Sequence, residues 1–172
     1  MLRAARSADA DALARLFLAA RRAAMPYLPE LHSDEETRWW MAEEIVRTQE
    51  VVVAELDGRV AGFAAFGDDL LAHLYVDPSE QGRGIGSALL ERAKEARPDG
   101  FRLWVFQRNE DARRFYENRG CRLVEMTDGA ANEEREPDAL YEWRPGLGGL
   151  DETLSEPSEA RCSPQRIRVQ SD

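Results

Sequence analysis

A chain of 172 residues, with 43% hydrophobic and 33% charged positions, has the length and composition of one soluble globular domain with a real core. Its formal charge of −10, from 33 acidic against 23 basic residues, argues against a nucleic-acid partner and is compatible with a cationic substrate. No run approaches the roughly 18 uninterrupted apolar residues of a membrane span, and Asp9, Asp11 and Arg15 break up any signal-peptide core, so a cytoplasmic location without membrane contact is expected.

Residues 2–6 read as a short strand. Ser7 is the expected cap of a first helix, whose apolar face is Leu13, Leu16, Phe17 and Ala20. That helix is expected to stop near Met25, because Pro26 disfavours helical geometry in the residue before it. Ser33 with Glu36 forms a capping box for a second helix that carries Trp39, Trp40, Met41 and Ile45 to about Thr48. Strands over 51–56 and 60–66 flank Asp57-Gly58, a two-residue hairpin signal, and 70–76 is a third apolar run. A helix is predicted from Ile85 to about Arg97, a strand over 101–106, and a helix from the cap Asn109 to about Arg119, closed by Gly120. Two last strands cover 121–126 and 139–143. Past Pro145 the apolar periodicity is gone and the glycines, prolines and serines predict disorder. Such mixed order implies an α/β sheet whose later strands join by helical crossovers.

Cys121 and Cys162 are too few for a disulfide framework and lack metal-ligand spacing. With His32 and His73 as the only histidines, no metal site is expected. The chemistry concentrates where the third apolar run passes through Asp77-Pro78 into Gln81-Gly82-Arg83-Gly84-Ile85-Gly86-Ser87 and a helix. A helix start offers unpaired N–H groups and the positive end of its dipole, which suits a pyrophosphate, and glycines let the backbone come close. An ordinary strand-to-helix turn has the same outline. The segment lies too late in the chain for the dinucleotide fingerprint and lacks the Gly-Lys-Ser/Thr of a P-loop.

This segment resembles the central motif of the GNAT superfamily, the Gcn5-related N-acetyltransferases, whose signature Gln/Arg-x-x-Gly-x-Gly/Ala opens a helix. Gln81, Gly84 and Gly86 fill it, and the preceding Leu-Tyr-Val-Asp-Pro looks like that family's fourth strand. The stretch from Asn109 to Cys121 resembles its second motif, with Cys121 where phenylalanine is usual, a departure of packing. The agreement in element order runs over residues 2–144. The resemblance implies a GNAT domain over 1–145, followed by a polar tail over 146–172. Its mixed sheet would have about seven strands, an N-terminal antiparallel meander and splayed fourth and fifth strands, with about four flanking helices.

The same resemblance implies acetyl-CoA as co-substrate. Leu74, Tyr75 and Val76 would meet the pantetheine arm, with the Val76 N–H polarising the thioester carbonyl. Gln81, Gly82, Arg83, Gly84, Ile85, Gly86 and Ser87 would hold the pyrophosphate, Asn109 would touch the cofactor, and Tyr116 would protonate the departing thiolate. Asn109, Ala112 and Tyr116 share a helical face by spacing, and a tyrosine keeps its proton at neutral pH. The family's glutamate base on the fifth strand is matched here by Trp104, which cannot serve. His73 is the candidate base, or else a satisfied structural group. Glu133, Glu134 and Glu136 are substrate contacts or a solvated run. Trp40, with Trp39, lines the acceptor site or packs the core. The implied reaction is direct acetyl transfer to a primary amine of a small molecule or peptide. The alternatives are an acyl-CoA sensor of the same fold without turnover and a ligand-free structural domain. Dimers are common among similar proteins, which makes a homodimer an expectation, and the acceptor itself is not specified.

Overall fold

Val51 and Val53 of β2 (Glu50–Leu56) belong to one buried cluster, and Val52 and Ala54 to another. Along β3 (Arg59–Phe66), Phe63 and Ala65 alternate in the same way with Ala64 and Phe66. Strands apolar on both faces must be covered on both, and a computed structural model, which describes residues 1–146, shows how. The first face takes α1 (Ala10–Ala24), through Leu13, Leu16 and Phe17, and α2 (Asp34–Trp40), through Trp40. The second takes α3 (Ile85–Ala96), through Leu89, Leu90 and Ala93.

The strands β1 (Leu2–Ala4), β2, β3 and β4 (Leu71–Val76) form an antiparallel sheet in that order. A second sheet has the order β5 (Phe101–Phe106), β7 (Asp138–Trp143), β6 (Arg122–Met126), with both pairs antiparallel. The helix α4 (Glu110–Glu117) crosses from β5 to β6. The seven strands and four α-helices among the described residues agree with the expected class. Between the sheets one parallel bridge joins Leu70 to Arg102, with the Arg102 N–H donating to the Asp69 carbonyl at 2.7 Å. Beyond it β4 and β5 share no register, so these two strands splay as expected.

Local signals account for most boundaries. Asp57 and Gly58 have φ of 50° and 75°, the two left-handed residues of a type I′ hairpin. The Ser33–Glu36 capping box forms in both directions, at 2.7 and 3.2 Å. Gly120 (φ 85°) ends α4 in a Schellman turn, Cys121 N–H donating to Tyr116 O and Gly120 N–H to Glu117 O, each at 3.1 Å.

Two expectations need correction. Ser7 makes no side-chain cap; a 3₁₀ turn over Ser7–Asp9 precedes α1. There the Asp9 carboxylate takes the Arg6 N–H at 2.7 Å while Arg3 holds it by two bonds. Because the Asp9 N–H donates to the Arg6 carbonyl at 2.9 Å, the cap position of this turn is Arg6 and not Ser7. The second helix does not stay α-helical to Thr48. It widens into a π turn over Met41–Val46, which keeps Met41 and Ile45 fully buried.

Among the described residues no helix is long and apolar enough to cross a membrane. The disorder expected over 146–172, and Cys162 with it, lies outside the described residues apart from Gly146. Leu89 is fully buried where α3 meets the sheet. Leu89→Ala is therefore expected to lower the unfolding free energy by about 3 kcal/mol, read from urea denaturation.

Candidate active site between the splayed strands

The Asp77 N–H donates to the Ala61 carbonyl at 2.9 Å, so this residue bonds toward β3. Antiparallel ladders alternate, and the register pairs Gly62 with Val76 and Ala64 with Leu74. The N–H and C=O groups of Leu74 and Val76 therefore face the other edge, where β5 has moved away. An unpaired strand edge inside a fold is a ready-made partner for an extended amide chain.

That edge runs into the glycine-rich turn. Asp77 shapes its start by accepting from the Ser79 N–H (2.9 Å) and hydroxyl (2.6 Å). Gly82 and Gly84 have φ of 78° and 81°, a conformation that costs a side-chain-bearing residue. Gly84 caps α3, whose first backbone bond is Ala88 N–H to Gly84 O at 3.0 Å. The N–H groups of Ile85, Gly86 and Ser87 consequently have no partner within the helix. A Cβ on Gly86 would stand 3.3 Å from the Phe115 ring, so glycine there permits α3 and α4 to close together.

A cleft of about 660 Å³ connects these groups. It brings together Leu74, Tyr75, Val76, Gln81, Gly82, Gly84, Ile85, Gly86, Ser87, Asn109 and Tyr116. Arg83 is not among the residues lining it; its guanidinium pairs with Glu80 at the surface. Asn109 uses its side-chain oxygen to cap α4 on Ala112 N–H at 3.2 Å. Tyr116 is 8% exposed, and burial, then its neighbours Tyr75 and Cys121, push its hydroxyl well above the usual tyrosine range. Cys121 is buried and pushed up to about 11, so its thiol stays protonated at neutral pH.

The sequence reading missed Arg119. Its Nε and Nη2 donate to Ser87 Oγ at 3.1 and 2.8 Å, and the guanidinium lies 4.0 Å over Phe115. It lines the cleft and pairs with no carboxylate among the described residues. Its only sequence signal was its place just before Gly120.

On the other side of the slot lies a pocket of about 360 Å³, which shares Met25 and Tyr75 with the cleft. Trp40, His73, Glu133 and Glu134 all line it, and so does Trp104. Trp40 is also core, 2% exposed, with its ring 5.2 Å edge-on to His73. Trp39 is 44% exposed and Glu136 pairs with Arg108 at 3.5 Å; neither lines the pocket.

Two pocket residues went unread in the sequence. Arg21 is ion-paired with Glu134, bonded to the Tyr75 hydroxyl, and set over Phe17 and Phe106 at 5.7 and 6.0 Å. His32 Nε2 lies 2.8 Å from Glu133 Oε1, across 101 residues of chain. The His73 Nε2 is buried with no hydrogen-bond partner among the described residues, and burial, then the Arg21 charge, push its pKa down to about 4.

A family model described as the acetyltransferase (GNAT) domain matches residues 47–120. An uncharacterised N-acetyltransferase of Archaeoglobus fulgidus is 29% identical over 141 residues, covering 72% of this chain and 94% of its own. The L-amino acid N-acyltransferase MnaT of Escherichia coli is 34% identical over 116 residues, covering 60% of this chain and 67% of its own. Among solved structures, the PaiA N-acetyltransferase of Thermoplasma acidophilum, in complex with coenzyme A, superposes with a TM-score of 0.66 at 20% identity. That match covers 84% of this chain and 98% of the other.

His73 makes stability depend on pH in a predictable direction. Its folded pKa of about 4 lies below the reference 6.5, so the unfolded chain takes up the proton first as pH falls. Stability is full above 6.5 and declines through the window down to 4. Between pH 7.5 and 5 the wild type is expected to lose about 2 kcal/mol more than His73→Leu, measured by urea denaturation across that range.

Proposed function

The chain belongs to the GNAT family of acetyltransferases, and from that membership we propose that it transfers the acetyl group of acetyl-CoA directly to a primary amine, with no covalent intermediate on the protein. The observation that carries this reading is the open β4 edge, whose Leu74 and Val76 amides end at a helix entrance free to take phosphates. Cleft and pocket meet along Tyr75, as two substrates of one reaction require.

Acetyl-CoA supplies an activated thioester, and the residues around it do the rest. Leu74 and Val76 pair with the pantetheine amides, and the Val76 N–H is aimed where charge develops on the carbonyl oxygen. The amides of Ile85, Gly86 and Ser87, with the unmatched Arg119, hold the pyrophosphate. As the amine nitrogen bonds to the acetyl carbon and the carbon–sulfur bond breaks, Tyr116 gives its proton to the sulfur and recovers one from solvent. Its raised pKa keeps that proton in place until the thiolate forms.

Two histidines take the two protons that the nitrogen loses. We assign the proton of the incoming ammonium to His32, which Glu133 orients as a carboxylate orients imidazole in a catalytic triad. His73, lowered to about 4, suits only the more acidic proton that the nitrogen carries once bonded to the carbonyl carbon.

Tyr116→Phe is expected to cut kcat about 100-fold while acetyl-CoA affinity stays unchanged by calorimetric titration; a full rate would remove Tyr116 as the acid. Arg119→Ala is expected to weaken acetyl-CoA binding about tenfold and leave kcat nearly intact. His32→Ala is expected to cut kcat/KM about 100-fold, and an unchanged value would dismiss the dyad.

A further inference from the structure

Resting on the reading above, the charge inventory of the acceptor pocket narrows the class of amine. Four carboxylates line it, Glu30, Glu133, Glu134 and Asp138, against two arginines and two histidines. Every one of those arginines is already matched within the chain. Arg21 holds Glu134, and Arg22 holds Glu30 and Asp34 at 2.6 and 2.8 Å. His32 is bonded to Glu133, and His73 sits among Phe17, Trp40 and Tyr75 with its ring nitrogen buried. Asp138 is 5% exposed and bonded to Asn132 at 3.0 Å.

A substrate carboxylate entering this pocket would meet an excess of acid and no arginine without a partner. To reach Arg21 it would have to share that guanidinium with Glu134, which sets two like charges side by side in a half-buried site. The remaining walls are apolar: Phe17, Trp40, Leu70, Trp104 and Phe106 face the same space. Trp104 and Phe106 do so because β5 alternates, with Phe101, Leu103 and Val105 turned into the core.

We propose that the acceptor is a small primary amine with an aromatic or aliphatic body and no carboxylate group. The ammonium lies on the Glu133–Glu134 side and the body lies against Trp40, Trp104 and Phe106.

Three acceptors that differ at one position test this with the full chain and acetyl-CoA: 2-phenylethylamine, L-phenylalaninamide and L-phenylalanine, read by thiol release. The first two are expected to exceed L-phenylalanine in kcat/KM by about 100-fold, the scale of one misplaced charge. Glu134→Gln, which releases Arg21, is expected to narrow that ratio about tenfold by raising turnover of L-phenylalanine; general damage would lower all three together. Equal turnover of L-phenylalanine and its two carboxylate-free twins overturns the proposal, as does a ratio that Glu134→Gln leaves unmoved. Turnover of none of the three by a protein that still binds acetyl-CoA overturns the acceptor class alone. Failure to bind acetyl-CoA overturns the acetyltransferase reading beneath it.

Discussion

Two sheets in this protein touch through one parallel bridge, Leu70 with Arg102, and the divergence past that point governs the rest. If β4 and β5 paired along their length, the Leu74 and Val76 amides would be consumed by the ladder. The slot between cleft and pocket would close with them. Because pairing stops early, backbone groups that a sheet normally satisfies are left for a ligand, in a place shielded by α1 and α3. The cost of that open edge is met by packing on both faces, where the clusters around Phe63 and Leu89 are fully buried.

The slot also separates two electrostatic environments. On the cleft side Arg119 has no carboxylate partner among the described residues and stands at the positive end of α3, beside N–H groups without helical partners. On the pocket side Arg21 and Arg22 are neutralised by the chain's own acids. An anion and a cation would thus be drawn to opposite sides of one strand, although the whole chain carries −10. Net charge alone would have predicted repulsion of any phosphate. Local placement of one guanidinium and one helix end decides otherwise.

Buried titratable groups follow from the same arrangement. Tyr116 and His73 both lie in desolvated surroundings, which disfavour the charged form of each: the tyrosine holds its proton more firmly and the histidine sheds its own more readily. Burial therefore leaves a protonated hydroxyl on one side of the slot and a neutral ring on the other.

Much of this was legible in the amino-acid sequence because the forces involved are short-range. Asp57-Gly58, the Ser33–Glu36 box, Asn109, Gly120 and the alternation in 51–56 act within a few residues, and each produced the expected turn, cap or strand. The glycine-rich helix entrance was readable for the same reason. Where another element intervened, reading faltered: Arg3 of β1 holds the Asp9 carboxylate that takes the Arg6 N–H, and the turn is capped at Arg6, one residue before Ser7. What the tertiary structure alone decided is pairing across long separations. Glu134 meets Arg21 over 113 residues, Glu133 meets His32 over 101, and Arg119 reaches Ser87 over 32. A charged side chain's partner depends on which elements the fold lays side by side. No periodicity or spacing in the chain encodes whether an arginine ends up matched or left free to hold an anion.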